Sequence, residues 1–184
     1  ALSEKTKMLL IERSRIAKKA ANKVHLAVDV LAKNYLEGQR WLVYCEDTAQ
    51  MKEVQRAFRD AGIACTEYHT AMTGDPEETL RWFKVAGGVL VSIKCLDEGV
   101  DIPSADHALI LSSSQNPRQF IQRRGRVLRK SEGKYLARIH DALVMPVCLD
   151  EEPDQMSLLK SEFLRAVEFA RSAMNRTAVA DLRS

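Results

Sequence analysis

The stretch QFIQRRGRVLRKSEGK, residues 119–134, places four arginines around Gly125 and a few apolar side chains. On a helix that turns about 100° per residue, Gln122, Arg126 and Arg129 fall on one side, at i, i+4 and i+7. The apolar residues fall on the opposite side, where they would dock on a sheet: Phe120, Ile121, Val127 and Leu128. Guanidinium groups are always charged and donate hydrogen bonds in a fixed fork. This spacing therefore suits an anionic group with several oxygens, such as phosphate, and Gly125 would let it approach closely.

Two other interpretations of this stretch stay open at the level of the residues. It could be a solvated basic face, or it could grip the sugar-phosphate backbone of a nucleic acid. The net charge of the 184-residue chain is only +3. Between Pro117 and Arg138, however, there are eight basic residues and one acid, Glu132. A local basic block in a nearly neutral chain indicates a site more than a generally adhesive surface.

The elements that must position the arginines alternate between helices and short apolar strands. The apolar runs predict strands at 41–45, 64–69, 89–93, 107–112 and 142–149, the last at a sheet edge or shortened because of Pro146. Helices are predicted over 3–36, from a cap at Thr48 to Gly62, from Asp75 to Gly87, from Pro117, and over 155–175. Trp41, Trp82 and Phe83 are expected in the core.

Continuously apolar strands predict that both faces of the sheet are covered. The fold class is therefore α/β, with a parallel sheet flanked by helices. Ligands of such sheets bind beyond the carboxyl ends of the strands. The chain contains no GxxxxGK[ST] phosphate loop, so it is not expected to hold a triphosphate by itself.

The other residue types limit the function classes. Four cysteines and four histidines are scattered without ligand spacing, so no metal site and no disulfide framework is expected. The first residues, ALSEKTKMLL, lack the apolar segment and cleavage site of a signal peptide, and no apolar run approaches the ~20 residues of a membrane span. We expect a cytoplasmic protein with reduced cysteines.

Three segments of the chain resemble the ordered motifs of a known family. VLVSIKCLDEGVDIP, followed by QRRGRVLR, resembles motifs V and VI of the superfamily 2 helicases and translocases, and RWLVYCEDTAQ resembles motif IV. The resemblance covers roughly residues 24–148, the second RecA-like domain. It implies a fold of the P-loop NTPase type without its own phosphate loop. The implied organisation is a linker or packing helix at 1–38, a RecA-like domain at 39–150, and a C-terminal helix and tail at 151–184.

The resemblance also implies residue roles in an ATP site between two RecA-like domains. Arg126 and Arg129 would be arginine fingers on the γ-phosphate, and Gln122 would contact the phosphate or the attacking water. Asp101 would bond the ribose, while Gly99 lets the backbone pass. ATP and Mg²⁺ would be held mainly by an upstream RecA-like domain of the same protein.

The nucleic-acid contacts are expected on the loops at the strand ends, at Glu46–Thr48, Thr70, Ser92–Lys94 and Ser112–Gln115. Hydroxyls and a lysine there suit sugar-phosphate contacts, which position a strand without reading its sequence: Thr48, Thr70, Ser92, Lys94 and Ser113. Many relatives have threonine in motif V where this chain has Ile93, with Ser92 one place earlier. The motif variants resemble DNA-repair and restriction-type branches more than DEAD-box RNA helicases, so DNA is favoured over RNA.

Two alternatives to a helicase motor remain. The chain could be a nucleic-acid-binding or regulatory module that has a helicase-like fold and no ATPase role. Within the enzyme class, it could belong to a double-strand translocase that moves DNA without unwinding it.

Overall fold

A computed structural model of the chain describes residues 3–5, 8, 19–69, 71–93, 105–112, 136–145, 156–171, 173–175 and 177. The chain divides into two compact units, Ala1–Ala142 and Leu143–Ser184. The predicted arginine helix and the loop before Pro103 lie outside the described residues.

The described part of the first unit contains a five-stranded parallel sheet. Its strands are β1 (Arg40–Tyr44), β2 (Thr66–Tyr68), β3 (Gly88–Ser92), β4 (His107–Ile110) and β5 (Arg138–Asp141). Their order in the sheet is β2-β3-β1-β4-β5, and every adjacent pair is parallel. The predicted α/β class with a parallel sheet is confirmed.

Both faces of the central strands are buried, as the continuous apolar runs predict. Successive side chains of a strand point to opposite faces, so alternate residues of β1 belong to different layers. Trp41, Val43 and Cys45 join one core cluster with residues of β3, β4 and two helices. Leu42 and Tyr44, between them in the sequence, are also buried. This two-sided burial explains why the strand is apolar at every position.

Two helices complete the core cluster on the first face. Helix α1 (Asn22–Asn34) buries Ala27 and Leu31, and helix α2 (Thr48–Asp60) buries Met51, Val54 and Phe58. Each large side chain that leaves water in this way contributes about 1.5–3 kcal/mol. The N-cap of α2 is Asp47, whose carboxylate accepts a hydrogen bond from the Gln50 amide. The prediction of Thr48 as the cap was wrong by one residue, because two adjacent side chains could both accept this bond.

Helix α3 (Pro76–Ala86) begins and ends at the predicted residues. Asp75 caps its N-terminus, Pro76 is the first residue, and Gly87 is the C-cap with φ of 77°. Phe83 is fully buried, as predicted, but Trp82 is 47% exposed. The placement of Trp82 in the core was therefore wrong: its ring lies over Gly88, where an added Cβ would be 3.0 Å from the ring.

Two other predictions need correction. A continuous helix over 3–36 was wrong, because residues 19–21 are not helical and α1 begins at Asn22. The last described strand is Arg138–Asp141, and residues 142–145 are not a strand; residues 146–149 of the predicted strand lie outside the described part of the chain. β5 lies at the edge of the sheet and is only partly buried, so it does not need the apolar run that indicated 142–149.

At the amino edge of the sheet, an ion pair connects the starts of β1 and β4. Arg40 donates from Nε and Nη2 to the two carboxylate oxygens of Asp106, at 2.9 and 3.0 Å. The backbone amide of Arg138, in β5, donates to the Asp106 carbonyl at 2.9 Å. The amino ends of three neighbouring strands are therefore connected through Asp106.

The described part of the second unit is helix α4 (Met156–Arg171) with short segments before and after it. Within the helix, Arg165 forms two hydrogen bonds with the buried Glu162 carboxylate, at 2.8 and 3.0 Å. The Val144 amide also donates to Glu162, at 3.2 Å. Among the described residues of the whole chain, no helix has the length and apolar character needed to cross a membrane.

Candidate functional site at the carboxyl edge of the sheet

The sheet topology selects one place for a ligand. The chain leaves β1 toward β2 on one side of the sheet and leaves β4 toward β5 on the other. β1 and β4 are adjacent and parallel, so their carboxyl ends flank a topological switch point. Ligands of open α/β sheets bind in the crevice at such a point.

A buried polar pair connects these two strand ends. Ser112, after β4, donates from its hydroxyl to Glu46 Oε2, after β1, at 2.5 Å. Glu46 is 6% exposed and Ser112 is fully buried. The backbone amide of Glu46 donates to Gln50 Oε1 at 2.8 Å. The loop after β1 is therefore attached both to the loop after β4 and to the first turn of α2.

Two lysines reach the same edge of the sheet, one just before α1 and one in its first turn. Lys23 is buried, and its Nζ donates to the Leu111 carbonyl at 2.6 Å. Lys19 forms an ion pair with Asp47. Partial burial would raise the pKa of Asp47, but hydrogen bonds from Lys19 and from the backbone amides of Gln50 and Ala49 prevail and lower it. The cap of α2 is therefore held as a carboxylate.

Only two of the predicted site residues are described. Thr48 is exposed, at the first residue of α2 and next to the capped loop. Ser92 is fully buried, and its hydroxyl donates to the Ile93 carbonyl at 3.1 Å; a contact with nucleic acid would require this hydroxyl to be uncovered. The other predicted site residues lie outside the described part of the chain: Thr70, Lys94, Gly99, Asp101, Ser113, Gln122, Arg126 and Arg129.

The sequence placed Glu46 and Ser112 at the starts of strand-end loops without giving either side chain a role. The structure brings these two residues together and adds Lys23 and Gln50. The position of Glu46 and Ser112 directly after apolar strands was the available signal. The contact between them was not visible, because they are 66 positions apart in the chain. Among the described residues, no group of three or more His, Cys, Asp or Glu is arranged to hold a metal ion.

Comparisons with known proteins give the family. Residues 22–131 match the family described as helicase conserved C-terminal domain. A DNA 3'-5' translocase of Sulfurisphaera tokodaii is 29% identical over 126 residues, which is 68% of this chain and 27% of the relative. A putative ATP-dependent RNA helicase of Methanocaldococcus jannaschii is 37% identical over 79 residues, 43% of this chain and 10% of the relative. The chain thus matches less than a third of the length of each of these curated relatives.

A solved structure supports the same assignment at the level of the fold. The DEAD-box protein SrmB of E. coli, bound to regulator of ribonuclease activity A, superposes with a TM-score of 0.55 at 23% identity. The superposition covers 78% of each chain. Together with the family match and the five-stranded parallel sheet, this shows that the chain belongs to the helicase conserved C-terminal domain family of the superfamily 2 helicases and translocases.

Proposed function

We propose that this chain is the second motor domain of an ATP-dependent helicase or translocase that acts on nucleic acid, with DNA favoured over RNA. The observation that supports this most directly is the family match over residues 22–131. The matched range includes Gln122, Arg126 and Arg129, the residues whose spacing suits a phosphate group. The DNA translocase match, which is the longer of the two curated matches, favours DNA.

In this proposal ATP lies between this domain and an upstream RecA-like domain, which would supply the phosphate loop and hold Mg²⁺. Arg126 and Arg129 reach the γ-phosphate, Gln122 contacts the phosphate or the attacking water, and Asp101 and Gly99 accommodate the ribose. Phosphoryl transfer depends on positioning and on neutralising charge spread over three oxygens, so an arginine finger contributes about 10³–10⁵ in rate. Bound Mg²⁺ would neutralise part of the same charge.

The nucleic acid is held on the loops at the carboxyl edge of the sheet. Thr48 is exposed there, and its hydroxyl suits a sugar-phosphate contact. Thr70, Lys94 and Ser113 are the other proposed contacts, and Ser92 would join them only once its buried hydroxyl is uncovered. ATP binding closes the two domains around the arginines, hydrolysis lets them open, and strand contacts on both domains then step along the backbone.

The test uses the full-length protein with its upstream domain. Arg126→Ala and Arg129→Ala are each expected to lower the nucleic-acid-stimulated ATPase kcat by about 10³-fold or more, because each removes a charge from the transition state. Nucleic-acid affinity without nucleotide should not change. Arg56→Ala, which removes an exposed arginine of α2, is the matched control and should retain the wild-type rate.

An unchanged ATPase in both finger variants would contradict the arginine roles. A different outcome would support the alternative function. If the wild-type protein bound nucleic acid but hydrolysed no ATP, the chain would be a binding or regulatory module with a helicase fold. A triplex-displacement assay beside a strand-displacement assay would separate translocation on duplex DNA from unwinding.

A further inference from the structure

We propose that Glu46 and Ser112 are positioning residues for the nucleic-acid track: their buried hydrogen bond fixes the loops after β1 and β4 relative to each other. This inference rests on the proposed function and deepens it, because it concerns residues that need not touch the nucleic acid. The sequence places both residues at the starts of strand-end loops but gives neither side chain a role of its own.

Burial argues against a direct contact with nucleic acid. Glu46 is 6% exposed and Ser112 is fully buried, so neither side chain presents a free surface to a strand. Withdrawing a carboxylate from water costs free energy unless hydrogen bonds compensate. Well-packed apolar side chains usually join two strand ends at lower cost. A hydrogen bond requires a defined geometry, whereas an apolar contact does not. The polar pair therefore fixes the two strand ends relative to each other in a way that an apolar contact would not.

The positions of Glu46 and Ser112 in the chain identify that role. Glu46 stands two residues before Thr48, and Ser112 immediately precedes Ser113 in the sequence. These neighbours are two of the proposed contacts with the sugar-phosphate backbone. The bond of 2.5 Å between Ser112 Oγ and Glu46 Oε2 therefore sets the separation of the two strand ends that lead into these contacts.

Helices α1 and α2 also restrain the same two loops through hydrogen bonds. Gln50 of α2 accepts a hydrogen bond from the Glu46 amide, and Lys23 of α1 donates to the carbonyl of Leu111, next to Ser112. Each member of the pair is thus connected to a different helix of the core. Such a frame holds the loops in one arrangement before a ligand binds, and this lowers the cost of ordering them on binding.

The experiment compares variants of the full-length protein at a temperature well below their unfolding. Glu46→Ala and Ser112→Ala should each raise the nucleic-acid concentration for half-maximal ATPase by about tenfold, because small misplacements of binding groups are costly. The kcat at saturating nucleic acid should stay within about twofold of wild type, since the ATP residues are untouched. Glu46→Gln retains an oxygen that accepts from Ser112 and should restore most of the affinity.

Two controls separate positioning from general stability. Glu53→Ala removes an exposed carboxylate of α2 and should leave both kinetic constants unchanged. The double variant Glu46→Ala/Ser112→Ala should be no weaker than the worse single variant, because both single changes remove the same interaction. If Glu46→Ala does not fold, Ser112→Ala, which removes one hydroxyl, answers the same question.

Wild-type half-saturation in folded Glu46→Ala and Ser112→Ala would overturn the inference, as would equal losses in Glu53→Ala. In both cases a wild-type ATPase stimulated by nucleic acid would leave the proposed function intact. If the wild-type protein showed no such stimulation, the proposed function would fail, and the positioning role would fail with it.

Discussion

His107 and His140 stack with Trp41 on one face of the sheet. The ring centroids of Trp41 and His107 are 4.3 Å apart, and those of Trp41 and His140 are 5.3 Å apart. Among the residues that the structure describes, the buried atoms His107 Nδ1 and His140 Nε2 have no hydrogen-bond partner. Burial, followed by the positive charge of Arg138, lowers the pKa of both imidazoles from the ordinary value of 6.5, and Asp106 offsets part of this at His107.

This stack predicts how stability depends on pH. A histidine with a lowered native pKa binds protons more readily in the unfolded chain, so folding is most favourable above about pH 6.5 and weakens as the pH falls through the native pKa. The free energy of unfolding, measured with urea, should therefore be lower at about pH 5.5 than at about pH 7.5. His107→Phe and His140→Phe keep a ring in the stack and should each reduce this difference.

The exposed His25 of α1 provides the control for the pH prediction. His25→Phe should retain the full difference between the two pH values. The interpretation would be contradicted if the curves of the wild type and the two stack variants ran parallel over this range.

At the scale of elements, Gly87 connects the end of α3 to β3 in a conformation that other residues avoid. Its φ is 77° and its ψ is −156°, a region that is essentially restricted to glycine. A Cβ at this position would lie 2.5 Å from the carbonyl oxygen of Gly38. The backbone of the loop before β1 thus passes directly against Gly87, which explains why a side chain is excluded.

Gly87→Ala should lower the free energy of unfolding by more than about 3 kcal/mol, because it adds a backbone clash to an unfavourable conformation. Gly62→Ala is the matched control: its φ is 74°, but a Cβ there would meet nothing within 4 Å. That variant should lose only about 1–2 kcal/mol. Equal losses in urea denaturation would show that the contact with Gly38 does not matter.

Elements with local signals could be predicted from the sequence. Asp75, Pro76 and Gly87 define helix α3 through capping, a fixed φ and a positive φ, which all act within a few residues. The edge strand Arg138–Asp141 was missed because apolar runs report burial, and this strand is only partly buried. The break at residues 19–21 has no glycine or proline to indicate it, and Lys19 there pairs with Asp47, far along the chain.

The candidate site likewise has one part that local sequence signals predict and one part that they do not. The arginine pattern at 122–129 lies within eight consecutive residues, so its spacing could be recognised. The pair of Glu46 and Ser112 could not, because nothing local specifies which polar residue of one strand end meets which of another. Predicting it requires the strand order β1-β4, which depends on long-range pairing.

At the scale of the whole molecule, the missing phosphate loop predicts that this chain alone does not hydrolyse ATP. Nucleic acid should produce no turnover above background with the 184-residue chain, whereas the protein with its upstream domain should show stimulated ATPase. The measurement is phosphate release by both proteins after identical repurification. Turnover by the isolated chain that persists through repurification and is lost in Arg126→Ala would contradict the two-domain site.

The strand order also has a consequence for the chain while it is being synthesised. β1 is the first described strand to leave the ribosome, yet its partners β3 and β4 begin only at Gly88 and His107. Pairing over such long separations forms slowly, and incomplete sheets expose apolar surface and unpaired edges. A nascent chain that pauses before His107 therefore presents the apolar β1 with at least one open edge, and this stage of synthesis is when the protein most needs protection from aggregation.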